Sequence, residues 1–490
     1  MQKKSRIVFR ADGSSTIGLG HVVRSLALAS MLRDEFELAF AIQEPDEKLL
    51  AQIKQECEHV ISLPKAEVKS NEAKYLVDTI LKPDDVVILD GYHFDTTYQQ
   101  QIKVSGCSLA CIDDIHAYPF VADAIINQAG NMDSSNYSVS PYTKLYLGPS
   151  YALLRQPFLA AALQGRTYQN KVHVLLNMGG ADPENYTLRI AEDLLKVKAD
   201  RVEIVVGSAY MHLEKLQHWL RNKPAYKLHQ NLGADAMCNL MQQCSLAVTS
   251  ASGVSYEYCA VGGLLFVLRT AANQEGLYTF LTQNNLAYDY AKLPEFVQGG
   301  VTSEAFAAQV QKQRQFFDGK SWQLYQQFFQ SLSLQASLIL RHATSEDTLL
   351  LFDWANDPAV RARSFNTDKI KLEDHKRWLE TKLAVPDSYL YIAEVKGEPA
   401  AHIRFDLKEE RATLSYLISE SFRGKGLGHT VLLKGIKQLS REASEVKVVE
   451  GLVQKDNIAS IRAFEKAGFS YGEPHAQHPN AFRFVLQVNY

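Results

Sequence analysis

The 490-residue chain has only six cysteines, with no CxxC and no zinc-type Cys/His spacing. This argues against a disulfide scaffold or a cysteine metal site. Cys57, Cys107, Cys111, Cys238, Cys244 and Cys259 read instead as buried thiols. Neither sign of charge dominates: 52 Lys+Arg stand against 55 Asp+Glu, a formal net charge of −3. A nucleic-acid binder shows a basic excess, so nucleic acid is not an expected partner. Apolar runs such as Leu264–Leu268 fall far short of the ~20 residues a membrane span needs. Met1–Arg10 starts basic but lacks the apolar stretch of a signal peptide. The expectation is a cytoplasmic protein with no membrane contact. No repeat or low-complexity tract is present. The composition, 46% hydrophobic and 22% charged, excludes a disordered or collagen-like chain.

Domains usually run ~100–200 residues, so the length suggests about three. In residues 1–165, short β-type runs (Ile7–Arg10, Leu38–Ile42, Val60–Leu63, Val86–Leu89, Leu109–Ile112, Ala124–Asn127) alternate with helical patterns such as His21–Leu32. That order predicts a parallel sheet covered on both faces, a doubly wound Rossmann-type unit. Residues 166–335 repeat it, with strands at Val172–Leu176, Val202–Val206, Leu246–Thr249 and Leu264–Leu268. Residues 337–490 differ. A meander of strands precedes a Gly-rich turn, a helix and βαβ elements, which predicts an α+β domain.

In the first unit, Gly18-Leu-Gly20-His21-Val-Val-Arg24 follows the first strand and opens a helix. Ligands of open α/β sheets bind at such turns. The glycines allow close backbone approach, and helix N–H groups favour a diphosphate. The helix dipole disfavours a cationic His21, which suits a neutral base. Arg24, one turn on, is placed to meet a developing phosphate charge. Asp90-Gly91-Tyr92-His93 ends another strand at the same sheet edge and serves either catalysis and orientation or a turn. Asp113-Asp114 suggests capping or hydrogen bonding rather than metal, since no third ligand is evident.

The second unit offers three similar junctions. Asn177-Met-Gly179-Gly180 joins a strand to a helix and can cradle phosphate through its N–H groups. Ser252-Gly253 to Glu257 repeats the design, with Glu257 suited to a ribose diol. Asn273-Gln274 begins another such helix. Together they point to a nucleotide site.

These segments, with Arg10-Ala-Asp12, Asp90-Gly-Tyr92, Ile112-Asp-Asp and Asn177 to Pro183, resemble the UDP-sugar hydrolases of pseudaminic-acid biosynthesis, over residues 1 to about 335. The resemblance implies a glycosyltransferase-B-like pair of Rossmann-type domains. It implies release of UDP from UDP-2,4-diacetamido-2,4,6-trideoxy-β-L-altropyranose by water attack at C1. His21 matches the general base, Tyr92 a residue beside it, and Glu257 and the Gly179 loop the uridine and diphosphate contacts. No metal is implied.

In the third unit, Arg423-Gly424-Lys425-Gly426-Leu427-Gly428 makes an anion nest after strand Ala412–Ile418. Downstream, Asn457-Ile-Ala-Ser460 through Phe464 to Gly468 reads as a helix ending at glycine. The pair resembles the GNAT superfamily of N-acetyltransferases. That implies acetyl-CoA as co-substrate, bound beside Leu417 and Ile418 in an opening between parallel strands, with Asn457 near the pantetheine. Trp354 to Pro358, Ser364-Phe-Asn366 and His375 to Leu379 further resemble the acetyltransferase of the same pathway, which acetylates the 4-amino group of a UDP-sugar. Phe464 stands where many such enzymes have the tyrosine acid. Tyr471, His402, Tyr416 or water remain as substitutes. The expectation is a bifunctional hydrolase and N-acetyltransferase acting on a UDP-activated amino sugar. The alternatives are a glycosyltransferase fused to an acetyltransferase of other amines, and a sugar-nucleotide-binding regulator that acetylates protein.

Overall fold

The computed structural model describes residues 4–13, 19–65, 69–197, 199–475 and 477–488. Its strands form sheets of seven, six and seven. The first holds β1 (Arg6–Ala11), β2 (Glu37–Gln43), β3 (His59–Leu63), β4 (Val86–Asp90), β5 (Ser108–Ile112), β6 (Ala124–Asn127) and β7 (Lys144–Leu147). The second holds β8 (His173–Asn177), β9 (Arg201–Val206), β10 (Tyr226–Gln230), β11 (Leu246–Ser250), β12 (Leu264–Leu268) and β13 (Tyr288–Asp289).

Both sheets are parallel throughout, in the orders β3-β2-β1-β4-β5-β6-β7 and β10-β9-β8-β11-β12-β13. Each begins in the middle and winds outward both ways. A crevice therefore opens at the strand ends between β1 and β4, and between β8 and β11. Register puts Ala11 beside Asp90, and Asn177 beside Thr249, at those two edges. Inner strands such as Val86–Asp90 are buried at every residue. That is why they read as continuous apolar runs, covered on both faces. The strands not expected from sequence include the edge strand β10 and the terminal β7 (Lys-Leu-Tyr-Leu), both half-exposed and mixed in polarity. The six cysteines are buried.

One core joins these units. Phe9 and Leu28 of the first belong to the same buried cluster as Leu175 and Tyr256 of the second, with Phe158 and Tyr325 between them. The helix Ser321–Ala336 follows the second unit in sequence but packs back on the first. Tyr325 donates to the Tyr151 carbonyl at 2.6 Å, and Ser333 and Ser5 hydroxyls meet at 2.6 Å.

The third sheet contains β14 (Leu338–His342), β15 (Ser388–Val395), β16 (Glu398–Lys408), β17 (Arg411–Ile418), β18 (Val448–Gln454), β19 (Ser470–Tyr471) and β20 (Ala481–Gln487). Its order is β14-β15-β16-β17-β18-β20-β19. It is antiparallel except for β17 and β18, which pair in parallel from Arg411↔Val448 to Leu414↔Gly451 and then splay. No helix among the described residues is long and apolar enough to cross a membrane.

Candidate active sites

The first site lies in the crevice between β1 and β4. His21 stands in the first turn of the helix Gly20–Leu32. Its Nδ1 lies 2.7 Å from Asp90 Oδ1 at the end of β4. Asp90 is fully buried, and a buried carboxylate must be paired. Arg24 supplies the pairing through Nε at 2.9 Å and Nη2 at 2.6 Å, and Ser25 Oγ donates at 3.1 Å. His21, Arg24 and Ser25 fall at i, i+3 and i+4, one face of the helix. Arg24 Nη2 also lies 3.1 Å from Nδ1, but the carboxylate is the nearer neighbour and can only accept, which favours the tautomer with its proton on Nδ1 and the Nε2 lone pair free.

The expected role of Arg24 changes. Its guanidinium is not held for phosphate, because Asp90 takes Nε and Nη2 and Asp114 Oδ2 takes Nη1 at 2.9 Å. Burial opposes the charge, yet the two carboxylates outweigh it and the pKa is raised. Tyr92 is exposed and sets its ring edge-on to His21, centroids 4.7 Å apart, with its hydroxyl 3.4 Å from Asp114. Burial and Asp114 raise its pKa, so the phenol stays protonated. Gly18 lies outside the described residues, while Gly20 opens the helix. Asp113 accepts from the Tyr137 hydroxyl at 2.9 Å.

Beneath the site runs a buried network that local sequence did not reveal. Arg10, with no exposed surface, is held by Asp12 at 2.5 Å and by Glu72 at 2.7 Å, and Tyr98 donates to Glu72 at 2.8 Å. Glu72 is 62 residues from Arg10, so only the fold brings them together.

The second crevice is built from amides and hydroxyls. Asn177 donates to the Val205 carbonyl at 3.1 Å and accepts from Gly179 N–H at 3.0 Å. Asp182 accepts from Tyr186 and Thr187 N–H at 2.9 and 2.7 Å. The first pair includes the Gly179 N–H, one of those the sequence offered to phosphate. The loop passes beside Gly207, where an added Cβ would fall 2.5 Å from the Gly180 carbonyl. The helix Gly253–Val261 presents the more open end: Ser252 makes no side-chain cap, and nothing lies within 4 Å of a Cβ on Gly253. Behind it, Ser255 Oγ meets Thr249 Oγ1 at 3.0 Å and donates to the Ser250 carbonyl at 2.8 Å. Glu257 Oε1 pairs with Arg155 at 2.7 Å, which engages one of the two oxygens expected to meet a ribose. Burial raises its pKa against the lowering effect of Arg155. Gln274 Oε1 accepts from Thr270 N–H at 2.8 Å and so shapes its own loop. Asn273 lies in the short turn before the helix Glu275–Gln283.

The third site is the splay of β17 from β18. Beyond Leu414, residues through Leu417 and Ile418 pair only with β16. Gly424 (φ 76°) and Gly426 (φ 79°) take the left-handed conformations a nest requires, and Leu427 leads into the helix Gly428–Glu442. Arg423 does not aim its charge into the nest. It bonds Asp357 at 2.9 Å and the Ile418 carbonyl at 3.1 Å. Lys425 sits 4.9 Å over the Phe422 ring. Asn457 caps the helix Ile458–Lys466 by accepting from Ser460 N–H at 3.2 Å.

Phe464 is buried in the core. Its ring occupies the space a side chain on Gly451 would need (Cζ 2.6 Å from an added Cβ) and packs on Phe469 and Phe484. It wedges the fork where the two strands part. Of the substitute acids, Tyr471 is exposed and bonded to Glu465 at 2.8 Å. His402 is buried on β16, and desolvation lowers its pKa to about 3, which makes it a poor proton carrier. Tyr416 lies two residues past the last β17–β18 pair, its hydroxyl 3.2 Å from Ser460 Oγ and 3.6 Å from a Cβ position on Gly428. Burial raises its pKa, keeping the proton in place. Among the described residues no group of three His, Cys, Asp or Glu is arranged to hold a metal.

Residues 337–470 match the acetyltransferase (GNAT) domain family. An uncharacterized protein of Methanocaldococcus jannaschii is 24% identical over 95% of this chain and 96% of its own. The UDP-2,4-diacetamido-2,4,6-trideoxy-β-L-altropyranose hydrolase of Campylobacter jejuni is 27% identical over 58% of this chain and 99% of its own. The solved aminoglycoside acetyltransferase AAC(6′)-Ib with coenzyme A is 23% identical, covering 31% of this chain and 95% of that one at a TM-score of 0.28. The chain thus joins a pair of Rossmann-type units, similar in sequence to that hydrolase, to a GNAT domain.

Proposed function

We propose that the chain is a bifunctional enzyme of sugar-nucleotide metabolism with units at 1–165, 166–335 and 337–490. The C-terminal unit acetylates the 4-amino group of a UDP-4-amino-4,6-dideoxy sugar from acetyl-CoA. The N-terminal pair hydrolyses the resulting UDP-2,4-diacetamido-2,4,6-trideoxy-β-L-altropyranose, as in pseudaminic-acid biosynthesis. The observation that carries the hydrolase reading is His21 Nδ1 held 2.7 Å from buried Asp90 at the crevice of the first sheet. His21 Nε2 takes a proton from water as the water oxygen bonds C1. The C1–O bond to diphosphate breaks, and UDP leaves with the electron pair. Asp90 steadies the imidazolium, a division of labour in which general base catalysis contributes ~10²–10⁴-fold. The N–H groups at Gly253 meet the diphosphate charge. In acetyl transfer the neutral amine attacks the thioester carbon, the C–S bond breaks, Tyr416 protonates the departing thiolate, and the proton the nitrogen sheds on becoming an amide passes through water to restore the phenol. The reading carries with it a cytoplasmic enzyme.

The test is mass spectrometry of the 4-amino UDP-sugar incubated with enzyme, with and without acetyl-CoA. Acetylation followed by UDP release without any sugar acceptor supports the reading. Release that requires an added acceptor alcohol supports a glycosyltransferase. Binding without turnover overturns both. His21→Ala should stop UDP release and leave acetylation intact.

A further inference from the structure

The phosphate-binding loop of the acetyltransferase unit does not face solvent alone. Its carbonyls are held by the hydrolase-side helix Ser321–Ala336: Ser331 Oγ donates to the Lys425 carbonyl at 3.2 Å, and Gln335 Nε2 to the Gly426 carbonyl at 3.5 Å. Next to them stands a side chain from the first Rossmann-type unit. A Cβ on Gly426 would meet Lys144 Nζ, from β7, at 3.7 Å, close behind Ser331 and Gln335.

This ammonium is half-buried, and its charge has no counter-ion among the described residues. Burial and nearby Lys466 lower its pKa. Lys466, at the end of the helix Ile458–Lys466, is likewise half-buried with no counter-ion among the described residues. His429, the second residue of the helix Gly428–Glu442, is buried in the field of both lysines and of Lys103. Desolvation leads and the cations add to it, bringing its pKa to about 4 against the raising effect of Asp123. Lys103 is already paired with Asp123 at 2.7 Å. Two ammonium groups, Lys144 and Lys466, thus stand near one helix start without a counter-ion of their own among the described residues, beside a histidine that stays neutral. Such a cluster is costly unless a ligand neutralises it. The loop's own Arg423 is spent on Asp357.

We infer that Lys144 of the hydrolase half, with Lys466, completes the phosphate subsite for the acyl-CoA bound by the acetyltransferase half. The ligand class is the phosphate-rich end of coenzyme A, its diphosphate or its 3′-phosphate. The inference rests on the acetyl-CoA reading of the third site and adds to it a residue from another unit.

The experiment uses the full chain. Lys144→Glu and the milder Lys144→Gln are assayed for acetyl transfer against acetyl-CoA concentration, with UDP release and thermal melting as controls. The expected result is a KM for acetyl-CoA raised ~10-fold or more by Lys144→Glu and by a smaller factor by Lys144→Gln, as for loss of a charge-assisted phosphate contact. UDP release should stay unchanged. Repeating the series with 3′-dephospho-acetyl-CoA assigns the phosphate: a penalty that vanishes marks the 3′-phosphate, and one that persists marks the diphosphate. An unchanged KM in folded Lys144→Gln, with wild type using acetyl-CoA normally, overturns the inference and spares the reading. Wild type that neither binds nor uses acetyl-CoA overturns both.

Discussion

The two parallel sheets share a strand order and a switch point but are furnished in opposite ways. At the first, ionisable side chains crowd together: His21, Arg24 and Asp90 in one contact set, with Arg10, Asp12 and Glu72 beneath. At the second, Asn177, Thr249, Ser250, Ser252 and Ser255 line the same topological position, and Glu257 is tied to Arg155. Charged groups that shift protons are suited to chemistry, whereas fixed dipoles are suited to holding an anion without reacting with it. One topology supplies the position, and the side chains decide whether it reacts or binds.

The sharpest way to break this comparison is at Asp90. Asp90→Asn removes the carboxylate that orients His21 while keeping its shape. UDP release should fall ~10²–10⁴-fold, the usual worth of a positioned general base. Binding of UDP, measured by calorimetry, should persist. A small loss would show that the first crevice also only binds. Next is Gly253→Val, which fills the open helix start of the second crevice. KM for the UDP-sugar should rise about tenfold, or ~1.4 kcal/mol of binding, with kcat nearly unchanged. A collapse of kcat instead would place chemistry there.

The third sheet sharpens the contrast by burying an ionisable group without the partners Asp90 enjoys. His402 Nε2 has no hydrogen-bond partner among the described residues. Its folded pKa is lowered to about 3, by desolvation first and then Arg404 and His375. An unfolded histidine titrates near ~6.5, so between those values only the unfolded state binds the proton. Stability should therefore fall as pH drops from ~6.5 toward 3, by up to ~1.4 kcal/mol per pH unit. His402→Leu should flatten that slope in denaturant titrations at several pH values. The smallest effect is expected at Ser255→Ala, which removes the hydroxyl link to Thr249 and Ser250. It should cost ~0.5–1.5 kcal/mol, seen as a lowered Tm with little change in KM.

Much of this was readable in the chain. The inner strands announced themselves as apolar runs because both faces are covered, and Leu264–Leu268 matches the sequence reading residue for residue. The GxGH turn placed His21 at a helix start, and Asp90 was readable as ending a strand at the same edge. Ser25 was findable too, one residue past Arg24 on the same helical face. What stayed hidden depends on residues far apart. Glu72 beneath Arg10 and Arg155 on Glu257 have no local signature, since 62 and 102 residues separate the partners. Arg24 and Arg423 were legible as cations near glycine turns. Their carboxylate partners Asp90, Asp114 and Asp357 come from other elements, and those partners decide where the charge goes. Phe464 was noticed as a missing tyrosine, but its role as a wedge over Gly451 needed the splayed strands to be seen. β7 and β10 escaped because these half-exposed strands mix polar with apolar residues instead of running apolar throughout.

Ser337 alone separates the helix Ser321–Ala336 from β14, and Lys434 Nζ clasps the joint by donating to the Ala336 and Leu338 carbonyls at 3.1 and 2.6 Å. In a tethered fusion, the local concentration of one site at the other is averaged over a flexible linker and falls as the linker grows. A one-residue splice removes that averaging. A site in one unit therefore keeps a fixed bearing to a site in the other, set by the fold and not by tether length.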